Sequence, residues 1–454
     1  MFRGVAVVGS VLLLSAVAPP AARAQQTQGL REKLSELFIF GPGEDPLFLA
    51  GSGDPNNPAS LRVHGSHFIP SAVAENGSII GFLTEALSTN IANVPIGATS
   101  GGVSFHFEAG VPVKTSTSAG PIFAERAPTL GRGRGVVGLG RSAFHFSTLR
   151  GVPLNGIDLV FTHQNVNFPG CDSTFGGDCS KMGLPTVEND VMQFHLNLGL
   201  DVQVTTLYAT YGLFDWMDVG VVVPLVSTKL HGESDAQIVP FGGPTASHFF
   251  AGTPTNPVLS ATRVVDGSSF GLGDVAVRTK ISVHQTPVSS FALLADARFA
   301  TGSSDDFLGS GAFSARGLAI LSGRVGAFSP HANVGYAYRA RNSSQHWNDA
   351  VLATAGFDDL IAQRVTLAAD LVSELQVGRS NLTLPPPVTY DLPFHRTVIP
   401  TNLPDTRDDV VNGSLGFKFT LPSGFTIVTN ALVPVNRGGL RADVIYTAGL
   451  ELNF

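Results

Sequence analysis

Apolar and polar residues alternate along most of the chain beyond residue 100. In FHLNLGLDVQVTT, Leu196, Leu198, Leu200, Val202 and Val204 share one parity, and Asn197, Asp201, Gln203 and Thr205 the other. GDVAVRTKISV sets Val275, Val277, Ile281 and Val283 against Asp274, Arg278, Lys280 and Ser282. RVTLAADLVSELQVG and VVNGSLGFKFT repeat the pattern, as does IYTAGLELNF, which runs to Phe454. A period of two is that of a strand with one apolar and one polar surface. Read coarsely, the pattern predicts about fourteen strands, near 100–109, 133–148, 156–168, 190–207, 214–230, 268–285, 289–300, 313–325, 330–341, 350–357, 364–378, 409–420, 425–434 and 440–454. Most exceed the usual strand of roughly five or six residues.

The connections alternate too. Short turns fall near 149–155, 208–213, 286–288, 326–329, 358–363 and 421–424. Longer polar segments fall near 110–132, 169–189, 231–267, 301–312, 342–349 and 379–408. Short-long alternation is expected when antiparallel strands cross a membrane, with tight periplasmic turns and large outer loops. An even strand number returns the last strand to the side from which the first entered; twelve and sixteen are the neighbouring counts. Period two is shared with secreted sandwiches, β-helices and propellers. Strand length and loop asymmetry favour the fold class all-β, a transmembrane antiparallel β-barrel over 100–454.

The N-terminus agrees. MFRGVAVVGSVLLLSAVAPPAARAQ has a basic start at Arg3, an apolar run and a small-x-small site before Gln25, so residues 1–24 are expected to be a cleaved signal peptide. Residues 25–99 differ in character from the rest. GLREKLSELF (29–38) predicts a short amphipathic helix, and 75–95 carries apolar residues at helical spacing. This segment is expected to be a helical or irregular plug inside the lumen, the alternative being a periplasmic extension. Only 14% of residues are charged, with 51 Gly and 31 Phe, against roughly 25% charged in ordinary soluble domains. The net charge of −7 offers no basic surface for nucleic acid. The two cysteines, Cys171 and Cys179, lie in a polar Gly-rich loop and are expected to form a disulfide.

Within a barrel, the polar parity lines a lumen. The candidates are Asp201, Asp274, Arg278, Lys280, Asp296, Arg298, Arg364, Asp370, Glu374 and Asp443, with both charge signs represented. The bland role is cross-strand pairing that stiffens the wall; the sharper one is contact with a permeating solute. No G-x-S-x-G, H-E-x-x-H or EF-hand pattern occurs, and the Gly-rich GRGRG at 131–135 precedes a strand rather than a helix. No enzyme, metal or cofactor is implied. Pro224 and Pro434 fall within or at the end of strands, where proline marks a bulge, a break or a terminus.

YGLFDWMDVGVVVPLV, FGLGDVAVRTK, DARFATGSSDDFLGSG and FSPHANVGYAY resemble the outer-membrane family labelled MetA-pathway of phenol degradation. More distantly, the chain resembles the long-chain fatty-acid transporter barrels. The resemblance implies fourteen strands, an N-terminal plug and passive uptake of small hydrophobic or aromatic solutes across the outer membrane of a Gram-negative-type bacterium. The alternatives are a non-transporting surface barrel whose loops bind a partner, and an outer-membrane hydrolase. The expected partners are the lipid bilayer, a small apolar solute and the barrel-assembly machinery. Tyr446, Leu450, Leu452 and Phe454 resemble the terminal signal which that machinery reads.

Overall fold

The computed structural model describes residues 29–41, 47, 49–51, 105–108, 111–114, 118–162, 190–240, 248–253, 255–341, 348–382, 384, 386–390 and 395–454. The expected signal peptide, the 75–95 helix and the Cys171–Cys179 disulfide lie outside these residues. Twelve antiparallel strands close into one barrel. The first six are β1 (Gly135–Leu149), β2 (Val191–Phe214), β3 (Met217–Val239), β4 (Ala276–Gln285), β5 (Ser289–Arg298) and β6 (Ser314–Gly323). The second six are β7 (Phe328–Arg339), β8 (Ala350–Ala362), β9 (Val365–Gln376), β10 (Val410–Thr420), β11 (Phe425–Pro434) and β12 (Ile445–Asn453). Consecutive strands pair around the ring, and β12 closes it on β1, from Tyr446↔Ala143 to Asn453↔Val136. Every backbone ladder then has a partner, as a wall in lipid requires.

Two of the fourteen expected strands are absent from the ring. Among the described residues of the 100–109 segment, Phe105–Glu108 pairs locally with Val111–Lys114. The 156–168 segment contributes Ile157–Thr162, which prolongs the track of β1. β1 pairs with β2 as far as Phe146↔Leu200, and the track resumes at Ile157↔Leu196 after an excursion through residues 147–156. Arg150 and Gly151 turn that excursion with φ of 50° and 83°. The expected 231–267 loop is mostly strand. β3 runs to Val239, and Ser260–Leu272 pairs with it before continuing into β4. The break at 273–275 lies opposite Pro224, which has no N–H to give; Gly273 instead donates to the Pro224 carbonyl at 2.8 Å.

β2 and β3, at 24 and 23 residues, are about twice as long as most of the wall. Their far halves, flanked by Ile157–Thr162 and Ser260–Leu272, form a four-stranded crest above the long-loop end. Along β2 the period is unbroken, but the apolar parity changes sides. Near the short turns Leu207, Tyr211 and Leu213 point outward and are exposed, while Thr206, Tyr208 and Thr210 are buried inside. In the crest Leu196, Leu198, Leu200, Val202 and Val204 are the buried ones, and His195, Asp201 and Gln203 face out. The reversal is physical. A lipid-facing wall is apolar outside, whereas a wall in water is apolar inside. The apolar face of 196–204 therefore packs inward, and Asp201 faces away from the lumen.

What fills the crest is the helix α1 (Leu30–Glu36) and the residues after it. Leu30, Leu34, Leu37, Phe38 and Phe40 join Phe144, Phe146, Phe161, Phe194, Leu230 and Phe250 in one apolar core. Gly232 and Gly267 make room for the helix, since a Cβ at either would press on Leu37 or collide with Leu30. Glu36 reaches Arg263 of the crest at 2.9 Å.

Candidate functional site

Of the segment expected among the outer loops, 110–132, the part from Ser118 onward in fact enters the barrel. This stretch, SAGPIFAERAPTLGRGR (118–134), has no helix or strand and crosses the lumen as a strap before turning into β1. With no ladder of its own, the strap must satisfy its backbone donors from the wall. Ala119 N–H donates to Thr366 Oγ1 at 2.8 Å, Phe123 N–H to Asp370 Oδ2 at 3.4 Å and Ala127 N–H to Ser322 Oγ at 2.9 Å. Leu130 N–H is shared between both oxygens of Asp218, each at 3.1 Å. At the short-turn rim, Arg132 N–H donates to Asp215 Oδ1 at 3.0 Å.

Side chains fasten it further. Asp358, fully buried on β8, accepts from Ser118 Oγ and from Arg126, whose Nε lies 3.1 Å from Oδ1. One wall carboxylate thus pins residues 118 and 126 together and closes a loop between them. At its tip Ile122 packs with Ala368 and Val428, in space that a Cβ on Gly416 would fill. On the opposite wall Ala127 packs with Ala292, Leu294 and Ile320. Glu125 accepts from Arg278 Nη1 at 2.9 Å, and Lys280 Nζ donates to the Arg126 carbonyl at 3.2 Å.

The inward parity of the wall continues this network. Asp296 accepts from Arg278 at 2.9 Å and Arg316 at 3.2 Å, with Arg298 at 3.4 Å. Asp218 lies 3.6 Å from Lys280. His331 bonds Asp370 at 2.6 Å, with Asp358 at 3.6 Å on its other nitrogen. Lys418 and Tyr208 converge on Glu451 at 3.4 and 2.9 Å. Cations and carboxylates thus alternate around the inside of the lower barrel. Buried charges persist only when paired in this way. A gap of about 40 Å³ remains between Arg126 and Pro128 of the strap and Ser290, Ser322 and Ser329 of the wall. That is room for a few waters.

Of the lumen candidates, Arg278, Lys280, Asp296, Arg298 and Asp370 are buried in this network. Asp274 is also buried, but it holds the loop after β5, accepting from Gly302 N–H and Ser310 N–H at 3.1 and 2.7 Å. Glu374 pairs with Arg339 near the long-loop end. Three do not face the lumen. Asp201 lies on the crest's outward face, 2.7 Å from His145. Arg364 is exposed in the β8–β9 turn, because strand parity ceases to set direction where the chain reverses. Asp443 is exposed in the break before β12, where it accepts from Ser147. Tyr446, Leu450 and Phe454 are exposed outward, with Leu452 on the same face. Sequence reasoning missed Ser118, Glu125, Arg126, His331 and Asp358. The available signal was the loss of alternation over 118–134, with a Glu-Arg pair in an otherwise weakly charged stretch.

Outside the band, the loop 377–409 is held to the wall by one buried ion pair and by a hydrogen bond at its base. Arg150, with its side chain fully buried, bonds Asp408 at 2.8 Å. Asp409, paired with Arg407 within the loop at 2.8 Å, accepts from the Gln376 N–H of β9 at 2.8 Å. Burial alone would raise the Asp409 carboxyl; hydrogen bonds from Arg407 and the Gln376 N–H outweigh it and hold that carboxyl below its usual range. On the crest's outward face an open cleft of about 730 Å³ runs past Asp158, His195 and Asp235, apart from the lumen.

Residues 186–361 match the family model described as "Putative MetA-pathway of phenol degradation", the family whose motifs the sequence resembles. No curated protein matches the chain. Among solved structures, an outer membrane channel from Pseudomonas putida F1 is similar at 9% identity, over 72% of this chain and 98% of that one, with a TM-score of 0.39. A FadL homologue from Pseudomonas aeruginosa is similar at 8% identity, over 70% and 88%, with a TM-score of 0.28. The toluene transporter TbuX from Ralstonia pickettii is similar at 10% identity, over 71% and 90%, with a TM-score of 0.32.

Proposed function

We propose that this chain is an outer-membrane channel for uptake of small hydrophobic solutes, aromatic ones foremost, by facilitated diffusion and without catalysis. The observation that carries the reading is the division of the barrel interior. The upper half is an apolar core in which the crest packs on α1, and the lower half is a charged lumen crossed by the strap. An apolar upper interior suits capture of an apolar solute. A charged, strapped lumen suits a barrier that holds back ions and small polar molecules. The expected signal peptide and the closed ring with its apolar outward face support an outer-membrane location, with the short turns in the periplasm. The phenol-degradation description of the matched family supports an aromatic solute.

The resident partners are then lipid, the solute and the barrel-assembly machinery. The test is uptake of radiolabelled phenol and toluene into liposomes that carry the purified full chain. The expected result is entry of both solutes above protein-free liposomes, without entry of glucose or NaCl. Aromatic uptake no faster than in protein-free liposomes would favour the alternative, a surface barrel that transports nothing.

A further inference from the structure

The loop between β5 and β6, TGSSDDFLGSG (301–311), is folded inward. Its neck is closed by one carboxylate, Asp274, which accepts from Gly302 N–H at 3.1 Å and from Ser310 N–H and Oγ at 2.7 and 2.5 Å. Gly302 and Gly309 meet back to back at this neck, and a Cβ on Gly309 would strike Asp274. Three successive carbonyls at the tip are then captured by the crest interior. Asp305 O accepts from Arg31 N–H of α1 at 2.9 Å, Asp306 O from Ser269 Oγ at 2.6 Å and Phe307 O from Thr228 Oγ1 at 3.1 Å.

Phe307 has φ of 55°, a left-handed backbone that bulky side chains avoid. Its side chain is nonetheless fully buried, in the core that also contains Leu30, Leu34, Val226 and Leu230. Strain of this kind persists where the surroundings over-determine it, and it marks switches and ligand clamps. Here the tip is held by hydrogen bonds that water can replace, and by the burial of one benzene ring. An aromatic solute offers that same ring.

We propose that Phe307 is a built-in occupant of an aromatic-binding site, and that the 301–311 lid withdraws it when a monocyclic aromatic solute takes its place. The inference rests on the uptake reading above and names the site where capture occurs. Exchange of ring for ring preserves the apolar burial and relieves the strained backbone. A polar solute offers no such compensation. Withdrawal also frees the Thr228 hydroxyl, which is fully buried and loses the Phe307 carbonyl as its acceptor. A hydroxyl left unpaired in an apolar pocket discriminates in favour of a ligand that pairs with it. The site therefore takes a phenol in preference to toluene.

Calorimetric titration of the full chain with phenol and with toluene tests this. In Phe307→Ala the occupant is gone, and a dry apolar cavity of roughly 150 Å³ is known to accept benzene. The Kd for phenol should fall roughly tenfold, as expected if the lid stands open about one-tenth of the time in the unmodified chain. Asp274→Asn opens the neck without touching the core and should shift the Kd in the same direction. Thr228→Val should abolish the preference for phenol over toluene. An unchanged phenol Kd in both Phe307→Ala and Asp274→Asn overturns the proposal; if liposome uptake persists in the unmodified chain, the uptake reading stands alone. Failure of the unmodified chain both to bind and to pass either solute overturns the two together.

Discussion

Asp358 shows how much one inward carboxylate can hold. Its side chain is fully buried and joins Ser118, Arg126 and His331, so it fixes both ends of a strap loop and orients a wall histidine. Removing one member of a buried charge network leaves the others desolvated and unpaired, at a cost of about 3–5 kcal/mol. Asp358→Asn should therefore lower the urea midpoint of the refolded barrel and make residues 118–126 accessible to protease. Replacing Arg126 by Met in that background removes the cation that Asp358 had balanced and should restore part of the loss. A midpoint unmoved by Asp358→Asn would mean the strap is held by its other contacts, from Ala119 to Leu130, without Asp358. At the outer rim, the depressed Asp409 carboxyl binds protons less readily when folded than when unfolded. Its contribution is complete above the ordinary carboxylate range and is lost as pH falls through the lowered value. Cleavage of the 377–409 loop in limited proteolysis should accordingly rise in acid.

The long β2–β3 hairpin marks where the sequence is legible and where it is silent. Period two revealed its strands, but the break that Pro224 suggested in its own strand falls instead in the neighbouring track, at 273–275. Period two cannot tell lipid from a dry core, because both accept the same apolar parity. Hence Leu196 to Val204 read as lipid-facing and Asp201 as luminal, when the parity in fact changes face between Val204 and Leu207. The only local trace of that change is the Thr205-Thr206 pair, where both parities are polar. Ile157–Thr162 read as a barrel strand for a related reason. Alternation shows that a strand exists and not which neighbour it takes. The change of face makes a prediction of its own. An arginine at Leu207, exposed within the apolar band, costs about 2–4 kcal/mol near the bilayer midplane. Gln203→Arg, two turns of the pleat away in the crest, should cost almost nothing. Folding yields into phospholipid vesicles should separate the two variants, and equal yields would place the lipid boundary elsewhere.

For the whole molecule, closure and obstruction come from adjoining stretches of chain. The strap runs into β1, and β1 is the strand that β12 must find. Phe454 and Gly135 exchange backbone hydrogen bonds at 2.9 and 3.0 Å, while the Phe454 ring covers the space where a Gly135 Cβ would lie. Both strands of the seam are thus joined within a few residues of the rim on which the strap turns. The strap itself is unlike a packed plug. It carries no internal ladder, and its backbone is satisfied by Thr366, Asp370, Ser322 and Asp218 of the wall. Replacing 119–130 by a Gly/Ser linker of equal length leaves the seam intact and removes Glu125 and Arg126. Arg278 keeps Asp296, and Lys280 keeps Asp218, so the wall remains largely paired without the strap. The lower lumen should then fill with water, and conductance in planar bilayers should rise from near silence to steady open-channel current. Phenol uptake should rise less than ionic current, because an apolar solute is limited by capture above the strap. A linker variant that folds, yet stays as silent as the parent chain, would show that the barrier lies in the crest and not in the charged lumen.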